Sequence, residues 1–313
     1  MKKVFGLAVS LAIMALIFYK IDRAAFSEHL TGINPFWMAA AFLLFIPQTV
    51  LSAWRWKWMI RGDSPCTFGE SLRLILAASS LNVFMPSKLG DLCKAYYLAK
   101  SGRLDWQRGL NQVLFERFLD LWALCWIGTA GVILTGADNA VGFTVILLTA
   151  GLTAVFIVIL KLPIRVLNLP FLPAKINEKA VSFFHDAHDY VERLKSDPRN
   201  LMILFLSTLF LWWLHVVQFY FVALSVQSVL TASQIFCFIP VGILIGLLPF
   251  TVAGIGTRDA AFLYFLSPME VPSKIVFLGL FATVRYLVPG LAGIPFIHRF
   301  FTLPKSGKKE REK

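Results

Sequence analysis

The chain has 313 residues, of which 58% are hydrophobic and 15% charged, and its formal net charge is +12. The apolar residues fall in runs of about 20, the length that crosses a bilayer, so a soluble globular domain is excluded. The lysines and arginines lie between those runs and in the tail, which points to loops facing anionic lipid rather than to a nucleic-acid surface.

Lys2 and Lys3 precede the first run, Val4 to Tyr19, and no small-residue cleavage pattern follows it, so it reads as a retained first span rather than a signal peptide. Span 2 runs from Pro35 to about Trp54, with Trp37 and Trp54 as interfacial aromatics. Arg55-Trp56-Lys57-Trp58 and Arg61 then read as a cytoplasmic interface anchor, with a lipid-headgroup contact as the sharper alternative. Glu70 to Met85 is apolar but dotted with Arg73, Ser79, Ser80 and Asn82, and it ends in Pro86-Ser87-Lys88-Leu89-Gly90-Asp91, followed by Lys94. That pattern predicts a helix, a break and a second helix with both ends on one side.

Span 3, Gly109 to Thr135, carries Glu116, Arg117 and Asp120 on adjacent parts of one helical face, where charges so deep should face the protein interior and pair. A tight turn at 136–139 leads to span 4, Ala140 to Leu160. The basic loop that follows repeats Ile176, Ala180, Phe184, Ala187, Val191 and Leu194 at helical spacing, predicting an amphipathic helix on the membrane or on the protein. Its His185-Asp186-Ala187-His188-Asp189 cluster reads as a solvated polar face, since nothing supplies the rest of a metal site. Span 5, Leu201 to Val226, holds His215, read as a packed histidine.

From Thr231 to Leu266 the chain is apolar around an interruption: Pro249, then Gly254-Ile255-Gly256-Thr257-Arg258-Asp259. Broken backbone at membrane depth is tolerated only beside protein or a water-filled cavity, and an ionisable pair there marks a functional site by default. Span 6, Ile275 to Ile297, carries a solitary Arg285. The tail from Lys305 is basic, and the four cysteines are scattered packing residues.

With the N-terminus inside, every strongly basic segment falls on one side. The expected fold is an all-α polytopic membrane protein with six full spans and two re-entrant helical hairpins. It forms one integral membrane domain of inverted halves, about 1–138 and 139–300, plus a cytoplasmic basic tail, 301–313. Both termini are expected to be cytoplasmic and the location to be the cell (inner) membrane. Inverted repeats with broken helices are a mark of secondary transporters.

Lys88, Lys94, Arg117, Arg258 and Arg285 supply converging positive charge, balanced by Asp91, Glu116, Asp120 and Asp259. Helix starts after Gly90 and Gly256 would add N–H donors, and Gly254 and Asn82 complete the candidate substrate site. Such a set suits an anionic phosphate on a phospholipid or a polyprenyl-phosphate-type lipid. The blander alternative is that each charge is neutralised locally and braces the fold. No nucleophile–base pair, metal cluster or nucleotide loop is visible, so no catalytic residue, metal or cofactor is expected. A translocase is the first reading. An integral-membrane transferase, or an accessory subunit serving a separate lipid-modifying enzyme in lipid or glycolipid biosynthesis, is the alternative.

Arg55-Trp56, Pro86-x-Lys88-x-Gly90-Asp91-x-x-Lys94, Glu116-Arg117-x-x-Asp120 and Gly254-x-Gly256-x-Arg258-Asp259-x-Ala260 together resemble the lysylphosphatidylglycerol synthase transmembrane region, a flippase-like domain of the UPF0104 type. The resemblance covers nearly the whole chain. The family usually has Arg where Lys88 and Lys94 stand and Glu where Asp91 and Asp259 stand, so charge is kept and bidentate geometry is not. In multiple peptide resistance factors a soluble aminoacyl-transfer domain follows this region. A chain ending at Lys313 is expected to carry the lipid-translocating part without that synthase.

Overall fold

The structure is a computed structural model. It describes residues 13, 15, 19, 31–136, 140–161, 174–247, 251 and 254–301. Most of the expected first span, the tight turn beyond Gly136, the break at Pro249 and the basic tail lie outside the described residues. Within them all regular structure is helical. Among the described residues, four helical stretches are long and apolar enough to cross a membrane: Pro35–Met59, Trp106–Thr135, Pro198–Ser225 and Pro272–His298. Expected spans 2, 3, 5 and 6 fall on these. Span 4 falls on a 22-residue helix whose apolar part, Gly142–Val158, is shorter.

The first stretch is two helices, α1 (Pro35–Leu43) and α2 (Phe45–Met59). Asn34 starts α1 by accepting from the amides of Phe36 and Trp37 at 3.0 and 3.4 Å. The joint at Leu44 has a local cause: Pro47 has no N–H to offer the carbonyl four residues back. Thr67 caps α3 (Phe68–Phe84). Pro86 ends it by holding Met85 extended at φ −108° and ψ 133°. A 3-10 turn (Pro86–Asp91) leads into α4 (Leu92–Lys100). Then come α5 (Trp106–Thr135), α6 (Ala140–Lys161), α7 (Ala174–Ser196) and α8 (Pro198–Ser225). They are followed by α9 (Ala232–Gly246), α10 (Thr257–Leu266) and α11 (Pro272–Phe301).

Polar contacts tie the helix ends into two faces. On one face, Arg103 binds Glu70 at 2.7 Å, Arg193 and Gln112 bind Asp63 at 2.8 and 2.7 Å, and Arg61 pairs with Asp197. The start of α3, the end of α4, the end of α2 and the α7–α8 junction therefore share a face. On the other, the Asn34 amide donates to Ser225 O at 2.8 Å and the Lys274 ammonium to Gln227 O at 2.6 Å. The start of α1, the end of α8 and the start of α11 meet there. At 30 residues each, α5 and α11 are about 45 Å long and reach across the bundle.

Helix packing follows a crossed pattern. α3 packs most extensively on α11, and α9 packs most extensively on α5. Glycines allow both approaches: a Cβ on Gly131 of α5 would meet the Cys237 backbone, and one on Gly293 of α11 would meet the Leu76 carbonyl. The amphipathic helix α7 settles on the protein, burying His188, Tyr190, Val191 and Leu194 against α5 and α8. In its polar cluster Asp186 accepts from Arg108 at 3.1 Å, and among the described residues no His/Cys/Asp/Glu group could hold a metal ion.

Glu270 clasps the second face. It accepts from the Ser228 hydroxyl and the Val229 amide at 2.6 and 2.7 Å and from the Val271 amide at 2.9 Å. Burial alone would raise its pKa, but these donors outweigh burial and hold it below the ordinary 4.5. A carboxylate with a lowered native pKa stabilises the fold above its unfolded pKa and loses that contribution as pH falls through the native value. Glu270→Gln is therefore expected to lower stability by about 1–2 kcal/mol at pH 7, by thermal unfolding. Its deficit should shrink progressively below pH 4.5, where wild-type Glu270 also becomes protonated.

Candidate functional site

A cavity of about 180 Å³ is lined by residues of both broken helices. Of the predicted site residues, Asn82, Asp91, Glu116, Arg117, Asp120, Gly254, Arg258 and Arg285 line it. Lys94 and Asp259 stand behind it, each paired with a residue of the lining. Gly90 and Gly256 are not among its lining residues: Gly90 packs against the Asn82 backbone and the Gly256 amide donates to Asp259, and the Lys88 side chain lies outside what is described. Residues from both sequence halves thus share one cavity, including Arg258 and the Asp91–Arg117 group.

Three cations and three carboxylates form a closed network on one wall. Arg55 forks between Glu116 at 2.8 Å and Asp120 at 2.7 Å. Lys94 pairs with Glu116 and reaches Asp91 at 3.4 Å. Arg117 lies 3.0 Å from Asp120, 3.3 Å from Glu116 and 3.4 Å from Asp91. The Trp212 indole and the Thr208 hydroxyl complete the network, at 2.9 Å from Asp120 and 3.0 Å from Arg55. All six charged side chains except Arg117 are at most 8% exposed. Burying ions at this depth costs several kcal/mol each unless they are paired and hydrogen-bonded, and here every charge has an opposite neighbour.

Arg55 corrects the interface-anchor expectation: it is 2% exposed. The apolar run ends at Trp54, but α2 continues to Met59 and carries Arg55 into the bundle. The missed signal was a polar stripe at helical spacing, Gln48, Ser52 and Arg55 on α2, matched by Thr208, His215 and Gln218 on α8. The helix expected after Gly90 begins at Leu92, where the 3-10 turn that runs to Asp91 passes into α4. Gly90 serves close packing, because a Cβ there would lie 2.5 Å from the Asn82 amide nitrogen.

On the opposite wall Arg258 and Asp259 lock the second break. Gly254 and Gly256 adopt φ of +74° and +97°, values that side-chain-bearing residues seldom take. Asp259 reaches back from the first turn of α10 to accept from the Gly256 amide at 2.8 Å. It also pairs with Arg258 at 2.9 Å, and Arg258 donates to Gly279 O at 3.1 Å and Thr283 at 2.8 Å. The Arg258 guanidinium is thereby committed to pinning α10 on α11.

Arg285 differs from the other four cations: among the described residues it has no carboxylate partner. Its hydrogen-bonding neighbours are His215 Nδ1 at 3.2 Å, Gln218 Oε1 at 3.4 Å and the Tyr286 hydroxyl at 3.1 Å. The rings of Phe219 and Tyr286 each lie 4.9 Å away. It is 7% exposed and its Nε has no hydrogen-bond partner.

With this geometry in place, comparison with known proteins is informative. The profile of the lysylphosphatidylglycerol synthase TM region matches residues 3–293. The chain belongs to that family. A UPF0104 membrane protein of Methanocaldococcus jannaschii is 24% identical to it over 307 residues, covering 90% of this chain and 89% of the relative. The match takes in both broken helices and every residue of the charged network, so the cavity is part of the family domain rather than an addition to it.

Proposed function

We propose that this protein is a membrane translocase for lipids or lipid-linked substrates, recognising an anionic phosphate headgroup in the central cavity. The observation that carries the reading is that cavity itself. It is a chamber inside an apolar bundle whose lining combines charged and polar side chains with a larger apolar part, walled by both broken helices and by long helices of both sequence halves. A headgroup sits among the charges and hydroxyls, while Phe42, Phe45, Leu211, Ile243 and Val288 offer apolar surface beside it.

The fold supports an inverted arrangement. The α3–α4 pair begins and ends on one face, and the crossed packing of α3 on α11 and α9 on α5 is what a two-fold relation in the membrane plane would produce. In this reading six spans and two re-entrant hairpins alternate access around a fixed site. The basic termini lie in the cytoplasm of a cell whose inner membrane holds the protein.

The test is reconstitution of the purified protein into vesicles carrying headgroup-labelled anionic phospholipid or polyprenyl-phosphate-linked sugar. A membrane-impermeant quencher then scores the lipid in each leaflet. Protein-dependent exchange between leaflets, with the lipid recovered chemically unchanged, is expected. A covalently altered lipid without exchange would establish the transferase alternative, and neither outcome would favour an accessory subunit.

A further inference from the structure

We propose that the anionic head enters the cavity together with a proton, which His215 takes up as Arg285 turns from that ring to the phosphate, so that lipid and proton move in the same direction. This rests on the headgroup-translocase reading of the same site and specifies the ion that drives it.

His215 of α8 and Arg285 of α11 both line the cavity, away from the ends of their helices. Arg285 Nη1 lies 3.2 Å from His215 Nδ1. A guanidinium only donates, so Nδ1 is the acceptor and carries no proton. With Arg285 in this place the imidazole is neutral, and its N–H is on Nε2. A histidinium would aim an N–H at the guanidinium and set two positive charges side by side at membrane depth. This hydrogen bond and a second proton on the ring therefore exclude each other.

Among the described cations in and behind the cavity, Arg285 is the one that no carboxylate holds. Its hydrogen bonds to Tyr286, His215 and Gln218 are 3.1, 3.2 and 3.4 Å long. Arg55, by contrast, is fixed by two carboxylates and a hydroxyl at 2.7, 2.8 and 3.0 Å. The Arg285 Nε is buried without a partner. A phosphate accepts from Nε and one terminal nitrogen together, a bidentate contact stronger than the three bonds given up. Once the guanidinium faces the phosphate, its charge is balanced and Nδ1 is released. A proton from water then binds Nδ1, and the new N–H donates to the phosphate. When the head leaves, Arg285 returns to Nδ1 and the proton passes to water on the side of release.

The other groups around His215 leave this exchange to the arginine. On α11 the second neighbour is Tyr286, whose hydroxyl accepts from Arg285. On α8 the Trp212 ring lies 5.0 Å away and gives its indole N–H to Asp120 at 2.9 Å. That carboxylate and Glu116 of α5 are held by Arg55 of α2 and by Lys94 and Arg117. Gln218 turns Oε1 toward Arg285, because its Nε2 donates to Ala41 O at 2.8 Å. Helices α1 and α9 also pack on α8 and carry no charged side chain, and the one titratable group on them, Cys237, packs against α5. The charged helix α7 joins α8 at its far end, about five turns from His215.

The experiment measures binding to the detergent-solubilised full chain between pH 5 and pH 8. The two probes are phosphatidylglycerol and a polyprenyl-phosphoryl sugar, whose phosphodiesters stay singly charged throughout, and the stronger binder names the source. Uptake of one proton with the anion should raise the dissociation constant at least about tenfold from pH 6 to pH 8, and a weakly buffered solution should lose about one proton per lipid bound. His215→Asn keeps an acceptor near the place of Nδ1 and takes up no proton, so the pH dependence should vanish. In vesicles, an imposed pH gradient should drive the head toward the leaflet on the alkaline side with the wild-type protein and not with His215→Asn. Binding without proton uptake overturns the proposal, as do a pH dependence that survives in a folded His215→Asn protein and exchange that ignores the gradient. If His215→Asn fails to fold, His215→Gln and the wild-type proton count decide. Proton-linked binding with no exchange under any gradient would refute translocation and leave proton uptake at His215 standing. Failure of both probes to bind at any pH would sink the headgroup reading and the proposal with it.

Discussion

Arg55→Ala is expected to destabilise the protein by about 3–5 kcal/mol, measured by unfolding of the detergent-solubilised protein. Removing the guanidinium leaves Glu116 and Asp120 with Lys94 and Arg117 alone, so three buried carboxylates face two cations. The Thr208 hydroxyl also loses its guanidinium donor. Arg55→Lys should recover only part of the loss, because one ammonium cannot place separate donors 2.8 Å from Glu116 and 2.7 Å from Asp120. Adding Asp120→Asn to Arg55→Ala restores charge balance and should recover stability relative to the single substitution, a coupling that a double-mutant cycle measures. A residue merely anchoring the interface would cost less than about 1 kcal/mol on the same substitution. A small loss would therefore place Arg55 back at the surface.

That arginine also marks where sequence reasoning stopped. Expected spans 2, 3, 5 and 6 were legible because apolar runs of bilayer length override local propensity, and the four long stretches fall on them. The break at Pro86 was legible because a proline removes a donor and restrains the residue before it. The acid–arginine grouping at Glu116, Arg117 and Asp120 was legible from helical spacing alone. Partners were not, because pairing across helices separated by 61 and 65 positions, as between Arg55 and its two acids, is set by packing. Sequence set Arg258 beside Asp259 and left Arg285 solitary, and it listed both as converging positive charge. The fold adds that Arg258 is committed to Asp259, Gly279 and Thr283, while Arg285 lines the cavity with no carboxylate partner among the described residues.

Gly131→Ala and Gly293→Ala should each cost about 3 kcal/mol, near the upper end for overpacking, in the same unfolding measurement. The added methyl at Gly131 falls well inside contact distance of Cys237 N and Cα, and that at Gly293 falls on the Leu76 carbonyl. Both obstacles are helix backbone, which cannot swing aside as a side chain would. Gly151 of α6 is the control: nothing lies within 4 Å of its added Cβ, so Gly151→Ala should stabilise by about 0.5–1 kcal/mol through helix propensity. The pair also tests the inverted arrangement. Each glycine lies on the long helix of one half, at the contact with the first limb of the other half's broken helix, and each has a second glycine three positions earlier, Gly128 and Gly290. Close approach of this kind is how helices associate where lipid removes the hydrophobic drive. If the two halves rock about a shared site, these two contacts hold it, and their losses should match. A large cost at one glycine with tolerance at the other would mean that the halves pack by unrelated rules.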